Sequence, residues 1–305
     1  MLSKFTKNSV ALQYQKSSIF NNNINNLMTI ITLTTDYGLK DHYVSSLKGA
    51  IFSENKNVTI VDISHQIDPF NIHQAAYIIK NAYQNFPEGT IHIIGVNAEV
   101  SIENEHLVIL FNGQYFICAN NGILSILTDT FLPEKIIEIN AFQDIKDNFP
   151  TKSVFTKVAC HIARGGNLDV IGKPFDKLKE IKNIAPVINA NKTQIIGSII
   201  YIDHYGNIIT NISKTLIKNI GNERDFQIIA RRAVFKKIHN SYNSIINFEI
   251  PEKDRVIKDG EKMALYNSNN LLEIALYKSD LSHEGGASSL LGLGYRDRIF
   301  IEFKN

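Results

Sequence analysis

The first half of the chain alternates between apolar runs and stretches with helical periodicity. Residues 30–33, 58–63 and 90–96 are apolar and rich in β-branched side chains, as strands buried in a sheet are. Between them, apolar residues recur at helical spacing in residues 44–51 and 71–86. Alternating strands and helices predict right-handed crossovers and parallel strands.

The pattern predicts four further elements before residue 173. The runs LVILF and QYFICA flank Asn112 and Gly113, a dipeptide that strongly favours a hairpin. KIIEI is a further strand, and SVFTKVACHIAR is a helix that ends at Gly165 and Gly166. The N-terminal part is therefore predicted to be an α/β domain over residues 28–176 with a mostly parallel sheet.

The pattern changes after about Lys173, where helical periodicity becomes weak. Short alternating runs follow from residue 194 onward, namely IIGSIIYID, IITNIS, DFQIIAR, KMALYN, LLEIALY and RIFIEF. Such runs indicate a smaller C-terminal all-β domain, a barrel or sandwich, over residues 193–305. Residues 177–192 are the expected linker.

The first 27 residues differ from the rest of the chain. They lack the continuous apolar region of a signal peptide and end in an asparagine-rich tract, and Met28 stands directly before the first strand. We expect residues 1–27 to be a disordered or non-native extension.

The charge, the apolar runs and the cysteines of the chain indicate which partners and which location to expect. The 32 basic and 30 acidic residues give a net charge of +2, so a nucleic-acid partner is not expected. No apolar run is long enough to cross a membrane. The two cysteines, Cys118 and Cys160, lie in apolar segments and match no zinc or disulfide pattern. A cytoplasmic location is the expectation.

Carboxylates follow the first strand at a position where open α/β sheets bind ligands. Asp36 lies at the carboxyl end of that strand, and Asp41 is the predicted N-cap of the next helix. The alternative is that both merely cap a turn. His65, Asp68 and nearby histidines match no metal-ligand spacing, so no metal site is predicted.

A second polar turn interrupts the C-terminal strands. Asp203 ends an apolar run, Gly206 permits a tight turn, and Tyr205 and Asn207 flank that glycine. An acceptor and an amide beside an aromatic ring can bind an amino-acid head group next to a flat ring system. The alternative is an Asx-turn hairpin. The polar segment with Ser268 before a later strand is equally open to both interpretations.

Several motifs together resemble one family. They occur in the order TTDYGLKDHYV, VDISHQIDPFNIHQAA, FPEGTIHIIGV, ANNGILS, ACHIARG, IDHYGNIITNI and NSNNLLEIA. In this order they resemble the S-adenosylmethionine (SAM) hydroxide adenosyltransferases and the related fluorinases and chlorinases, over nearly all of residues 28–303. The resemblance implies that SAM is substrate or ligand without a further cofactor. It also implies a homotrimer that binds SAM between the α/β domain of one subunit and the β domain of its neighbour.

The resemblance implies specific binding roles. In the N-terminal domain, Asp36 would hold both ribose hydroxyls, a natural role for a carboxylate acceptor, and Phe70 would pack at the sugar and adenine. In the C-terminal domain, Asp203 and Asn207 would contact the methionine amino and carboxylate groups. Tyr205 would stack there, and Ser268 would contact the same head group.

The chain departs from the family at the groups that organise the attacking water in the hydrolases. The aspartate, arginine and histidine positions of that set carry Asn97, Asn104 and Pro150. Neither an amide nor a proline can act as a base, although Glu99, Glu103 and Glu105 lie nearby. The resemblance implies that Asn97, Asn104 and Thr151 line the nucleophile pocket.

The reaction that the resemblance implies is displacement of methionine from C5′ of SAM by water, which gives adenosine and methionine. The alternative is a non-catalytic binder of SAM or adenosine, acting as a sensor or sink. Thr151 aligns with the halide-binding serine of fluorinases. The additional loop of those enzymes is missing, however, so a SAM-dependent halogenase is disfavoured.

Overall fold

The computed structural model describes residues 28–101, 104–128, 131–141, 148–182, 184–256, 258–283 and 285–304. The predicted extension, residues 1–27, lies outside the described residues. The chain divides into an N-terminal unit that ends at Lys179 and a C-terminal unit that begins at Glu180. The expected linker, residues 177–192, spans this division.

The N-terminal unit is built on a seven-stranded sheet with the order β2-β1-β3-β5-β4-β6-β7. Its strands are β1 (Thr29–Thr35), β2 (Val58–Ser64), β3 (Ile91–Gly95), β4 (His106–Phe111), β5 (Gln114–Ala119), β6 (Lys135–Ile139) and β7 (Gly172–Pro174). The pairings of β2, β1, β3 and β5 are parallel, whereas β4, β6 and β7 join antiparallel. All strands except β4 and β7 therefore run in one direction, which confirms the predicted mostly parallel sheet.

Helices lie in four connections of this unit, between β1 and β2, β2 and β3, β5 and β6, and β6 and β7. The helices are α1 (Tyr43–Glu54), α2 (Ile72–Ala82), α3 (Ile123–Thr128) and α4 (Thr156–Ala163), and a π-helical turn, Thr151–Phe155, leads into α4. Asn112 and Gly113 form the predicted hairpin turn, with φ of 52° and 68°.

The prediction that Asp41 caps α1 is wrong. The helix begins at Tyr43, its N-cap is His42, and no side chain there makes a capping hydrogen bond. Helix α2 has a true cap, because the side chain of Asn71 accepts a hydrogen bond from the amide of Gln74 at 3.0 Å.

The core of the N-terminal unit lies between the sheet and its helices. Leu47 and Ile51 of α1 and Val158 of α4 are fully buried against the strands, together with the β1 residues Ile31 and Leu33. Both cysteines are buried and unpaired, as predicted. Burial raises the pKa of Cys118 and raises that of Cys160 to about 11.

The C-terminal unit contains a nine-stranded sheet with the order β12-β11-β16-β9-β10-β15-β14-β13, and β8 pairs with β9. Its strands are β8 (Val187–Ile188), β9 (Gln194–Ile202), β10 (Ile208–Ser213), β11 (Phe226–Ala230), β12 (Ala233–Phe235), β13 (Ile238–His239), β14 (Lys262–Tyr266), β15 (Leu271–Leu276) and β16 (Arg298–Phe303). The sheet confirms the predicted all-β class.

Two helices that the sequence pattern did not predict accompany this sheet, α5 (Lys214–Gly221) and α6 (Ala287–Leu291). Helix α5 begins at a true cap, since the Ser213 hydroxyl accepts a hydrogen bond from the amide of Leu216 at 3.1 Å. No helix in the described part of the chain is long and apolar enough to cross a membrane.

Candidate functional site

The turn after β1 is anchored to the end of β2 through His65. The Gly38 amide donates to the His65 carbonyl at 2.7 Å, and Gly38 has a φ of +66°, which favours glycine. The buried His65 ring is hydrogen-bonded through Nδ1 to the Thr35 hydroxyl at 2.7 Å. Its Nε2 lies 3.1 Å from Asp62, which pairs in turn with Lys48 at 2.5 Å. The position of residues 36–38 is therefore fixed by both strands.

Asp36 and Phe70 are in direct contact. The Phe70 amide donates a hydrogen bond to Asp36 Oδ2 at 2.9 Å, and Phe70 has a φ of +63°. An aromatic residue in the left-handed region is strained by about 1–3 kcal/mol. The side chain of Phe70 is nonetheless 70% exposed. The Asp36 carboxylate holds this loop in place and leaves the aromatic ring free.

These two residues border a cleft of about 330 Å³ at the carboxyl end of the parallel strands. The cleft is lined by aromatic, amide, carboxylate and proline side chains: Asp36, Tyr37, Tyr43, Pro69, Phe70, Asn97, Ala98, Glu99, Asn148, Phe149 and Pro150. Predicted site residues from three separate segments of the sequence thus meet at one place. It is where open α/β sheets bind ligands.

Thr151 reaches the cleft only through Tyr37. Thr151 is fully buried, and its hydroxyl shares a hydrogen bond of 2.7 Å with the Tyr37 hydroxyl, 114 residues away in the sequence. Burial raises the pKa of Tyr37 to about 12, so this hydroxyl stays protonated at neutral pH. Gly95 makes room for the pair, because a Cβ there would lie 2.9 Å from both Tyr37 Oη and Thr151 Cγ2.

Asn97 lies in the loop after β3 and has a φ of +46°. Asn121 Nδ2 donates to the carbonyls of Val96 and Asn97 at 3.0 Å each. His106 Nε2 donates to the next carbonyl, that of Ala98, at 2.9 Å. Burial lowers the pKa of His106, which keeps its ring neutral. Three consecutive carbonyls are therefore held from behind the cleft.

The structure does not bring Asn104 into this cleft. Asn104 forms a backbone bridge with Ser101, and its side-chain oxygen accepts a hydrogen bond from Lys179 Nζ at 3.5 Å. Of the neighbouring glutamates, Glu99 lines the cleft and is exposed. Glu105 instead accepts a hydrogen bond from Asn120 at 3.0 Å, which lowers the pKa of that carboxyl. Glu103 lies outside the described residues.

His92 has structural partners. His92 lies inside the sheet, where its ring nitrogens bond to Thr32 at 2.7 Å and to Gln114 at 2.6 Å. Burial lowers the pKa of His92 to about 4. In the ranges that the structure describes, no group of three or more His, Cys, Asp or Glu residues could hold a metal ion.

In the C-terminal unit, Asp203 builds the turn between β9 and β10. Its Oδ1 accepts hydrogen bonds from the amides of Tyr205 at 2.9 Å and Asn207 at 2.8 Å, and its Oδ2 accepts from Asn207 Nδ2 at 3.1 Å. Gly206 has a φ of +73°. This is the Asx-turn arrangement that the sequence left open.

Tyr205 and Asn207 line a pocket of about 400 Å³ in this unit. The other lining residues are Tyr242, Asn243, Leu276, Tyr277, Lys278 and Ser279. Asn207 Nδ2 also donates to the Tyr242 hydroxyl at 3.2 Å, and that hydroxyl donates to Glu273. Burial raises the pKa of Glu273.

Sequence reasoning missed Tyr242 and Glu273. The usable signal was Glu273, a carboxylate inside the apolar run LLEIAL, because a charged residue on a buried strand needs a partner.

Ser268 is not brought to this pocket. It is exposed in the turn between β14 and β15, where the neighbouring Asn270 carbonyl accepts from the Lys214 amide at 2.7 Å. That turn lies at the far end of β10 from Asn207, since Ser213 pairs with Leu271 and Ile208 with Ile274.

Two family models match this chain. The model of the SAM hydroxide adenosyltransferase N-terminal domain matches residues 31–172, and that of the C-terminal domain matches residues 197–300.

Individual relatives align over most of the chain. A protein of Methanocaldococcus jannaschii named (R)-S-adenosyl-L-methionine hydrolase is 29% identical over 281 residues, which are 90% of this chain and 96% of that protein. A protein of Nocardia brasiliensis named fluorinase is 22% identical over 83% of this chain and 92% of its own length. A crystal structure of an uncharacterized conserved protein from Thermotoga maritima aligns with a TM-score of 0.75 and 26% identity, covering 90% of this chain and 99% of that one. Because the two domain models together cover most of its length, the chain belongs to the SAM hydroxide adenosyltransferase family.

Proposed function

We propose that this protein binds SAM and displaces methionine from its C5′ with water, releasing adenosine and methionine. The observation that carries the proposal is the Asp36 carboxylate at the rim of a cleft whose exposed aromatic ring, Phe70, it positions. Membership of a family whose relatives include proteins named SAM hydrolase supports the same substrate.

The cleft suits a ribose. Asp36 Oδ2 accepts one hydrogen bond from the Phe70 amide, so Oδ1 and the second lone pair of Oδ2 remain as acceptors for two vicinal hydroxyls. The Phe70 ring offers an apolar face beside that carboxylate for the sugar and adenine. In the C-terminal unit, Tyr205 and Asn207 line a pocket that suits another part of the ligand. The family resemblance supports a homotrimer in which neighbouring subunits supply these two parts.

The reaction forms one bond, breaks one bond and releases one proton. The water oxygen forms a bond to C5′, the C5′–S bond breaks, and its electron pair stays on sulfur, so methionine leaves as a neutral thioether. The proton of the attacking water passes to solvent or to an acceptor in the cleft. Asn97 offers a side-chain oxygen that can orient this water, and Glu99 offers a carboxylate. The Tyr37 hydroxyl, with its pKa raised to about 12, is a donor and not a base.

The expected rate is low. Loss of general acid–base assistance typically costs about 10²–10⁴-fold, while positioning of the sulfonium substrate is retained. The test is to incubate purified protein with SAM and to quantify adenosine and methionine by chromatography. Adenosine formation above the uncatalysed background supports hydrolysis, and formation equal to the background overturns it.

A second candidate function is non-catalytic binding of SAM or adenosine, as a sensor or sink. The observation that favours it is Pro150, which lines the cleft at the position where the family's hydrolases carry a histidine. This function predicts calorimetric binding of SAM without turnover. Adenosine formation that the Asn97→Ala variant abolishes would contradict it.

A further inference from the structure

The side-chain amide of Asn207 is held in one orientation by a chain of hydrogen bonds. Its Nδ2 donates to Asp203 Oδ2 at 3.1 Å and to the Tyr242 oxygen at 3.2 Å. The Tyr242 proton is already committed, because that hydroxyl donates to Glu273. Rotating the amide by half a turn would place Asn207 Oδ1 against two oxygens that have no proton to give. The Glu273 carboxylate thus sets the direction of every hydrogen bond along this chain.

One atom in this series of hydrogen-bonded groups, Asn207 Oδ1, has no hydrogen-bond partner among the described residues. Asn207 is only 3% exposed, and no described residue donates a hydrogen bond to its Oδ1. A buried acceptor without a donor is costly, and such atoms are rare in folded proteins. Asn207 also lines the pocket, together with Tyr205 and Tyr277. The unpaired oxygen therefore points to a ligand that supplies the missing donor.

We propose that Glu273 and Tyr242 are positioning residues that keep the Asn207 oxygen as a free acceptor, so that this pocket selects a ligand group that donates an N–H. Both Nδ2 protons are in use, so Asn207 accepts from an amine and does not donate to a carboxylate. The inference rests on the proposed function, in which the ligand is SAM. SAM carries two such groups, the adenine amine and the methionine ammonium.

Burial explains why the carboxylate matters at a distance from the ligand. Glu273 is 4% exposed and lies on β15, where it pairs with Ile209 of β10 and Leu265 of β14. A carboxylate accepts hydrogen bonds only, whereas the amide of a glutamine at this position can also donate to the Tyr242 oxygen. That donation would turn the Tyr242 proton toward Asn207 and stabilise the rotated amide.

The test measures ligand preference by calorimetry with the full chain. Inosine carries a carbonyl where adenosine carries an amine, and the 2-hydroxy analogue of methionine lacks the ammonium. If the adenine amine is the donor, wild type should bind adenosine at least about tenfold more tightly than inosine. If the ammonium is the donor, the same preference should appear between methionine and its hydroxy analogue. Equal binding within both pairs would overturn the proposal.

Two variants separate positioning from mere packing. Glu273→Gln and Tyr242→Phe should each reduce the preference to below about threefold, with folding checked by circular dichroism. Glu302→Gln is the matched control, since Glu302 is also a strand glutamate that accepts side-chain hydrogen bonds, from Gln194 and Gln227. A preference that persists in both test variants, or that is lost in the control, would overturn the positioning role.

A measurement on the free protein distinguishes this inference from the proposed function. The Nδ2 protons of Asn207 should exchange with solvent much more slowly in NMR spectra than those of exposed Asn269, and Glu273→Gln should accelerate them. Slow exchange without binding of any SAM fragment would overturn the proposed function and support the positioning role. Exchange as fast as in Asn269 would overturn the positioning role whatever binds.

Discussion

The Asp36 carboxylate and the Phe70 amide are joined by a hydrogen bond of 2.9 Å between residues 34 positions apart in the sequence. The bond holds an exposed phenylalanine in the left-handed region at the rim of the cleft. Asp36 therefore fixes the loop that carries Phe70, and under the proposed function it has a second task, to offer its remaining lone pairs to a ligand.

Replacing Asp36 should separate these tasks. In Asp36→Asn the side-chain oxygen still accepts from the Phe70 amide, but the charge is lost, so SAM affinity should fall by about ten- to a hundredfold without a large loss of stability. Asp36→Ala should lose affinity and also release the strained loop. Calorimetry and thermal melts measure the two effects. The control is exposed Asp41→Asn, and unchanged SAM affinity in Asp36→Asn would refute the ribose role.

Gly95→Ala should destabilise the N-terminal unit by about 1–3 kcal/mol. The added Cβ would lie 2.9 Å from both Tyr37 Oη and Thr151 Cγ2 and would push this hydrogen-bonded pair apart. Urea unfolding gives the free energy. Gly49→Ala is the matched control, because its Cβ meets nothing within 4 Å and the helix α1 should gain stability. Equal stability of Gly95→Ala and wild type would show that the pair adapts freely.

Acid should destabilise the protein through His92. Its pKa falls from 6.5 to about 4 on folding because the ring is buried. The unfolded chain then binds more protons between these values, so the contribution of His92 is full above 6.5 and is lost as the pH falls toward 4. From about pH 7 to about pH 5 the loss is about 2 kcal/mol.

The measurement is urea unfolding at both pH values. His92→Gln should be less acid-sensitive than wild type, while His42→Gln, at an exposed position, should match wild type. The prediction fails if His92→Gln loses as much stability in acid as the wild-type protein does.

Asn97→Asp should increase adenosine formation. Aspartate tolerates the left-handed backbone of this position, and it restores a carboxylate in the cleft. The gain should be at least about tenfold, since general-base assistance is worth about 10²–10⁴-fold. Chromatography of SAM incubations measures it, with Asn55→Asp at the end of α1 as a control for charge. No adenosine from either wild type or Asn97→Asp would favour the non-catalytic binder.

The sequence predicted the long elements well and the short ones poorly. Strands β1 to β6 and helices α1, α2 and α4 follow from apolar runs and periodicity, since burial of one face leaves a repeated signal. Helix α5 was missed because its eight residues lie among alternating strand runs. The predicted cap at Asp41 failed because the chain enters α1 one residue later, at His42, without a side-chain cap.

The candidate site could likewise be predicted only in part. The position of Asp36 at a strand end is local information, and its neighbours came from motifs in chain order. The contact of Tyr37 with Thr151 spans 114 residues, and that of Tyr242 with Glu273 spans 31 residues. Such pairings depend on strand register and loop geometry, which side-chain periodicity does not encode.

Local unfolding of the N-terminal unit can be followed through its two buried thiols, Cys118 and Cys160. Cys118 lies in β5 and Cys160 in α4, and burial holds the pKa of each thiol above its usual range. Neither sulfur can react with an alkylating reagent until the segment around it opens. Because one thiol belongs to the sheet and the other to a helix packed on it, their labelling rates would time the undocking of the helix separately from the breakup of the sheet. The labelling rates of Cys118 and Cys160 would thus report two local unfolding events without any engineered probe.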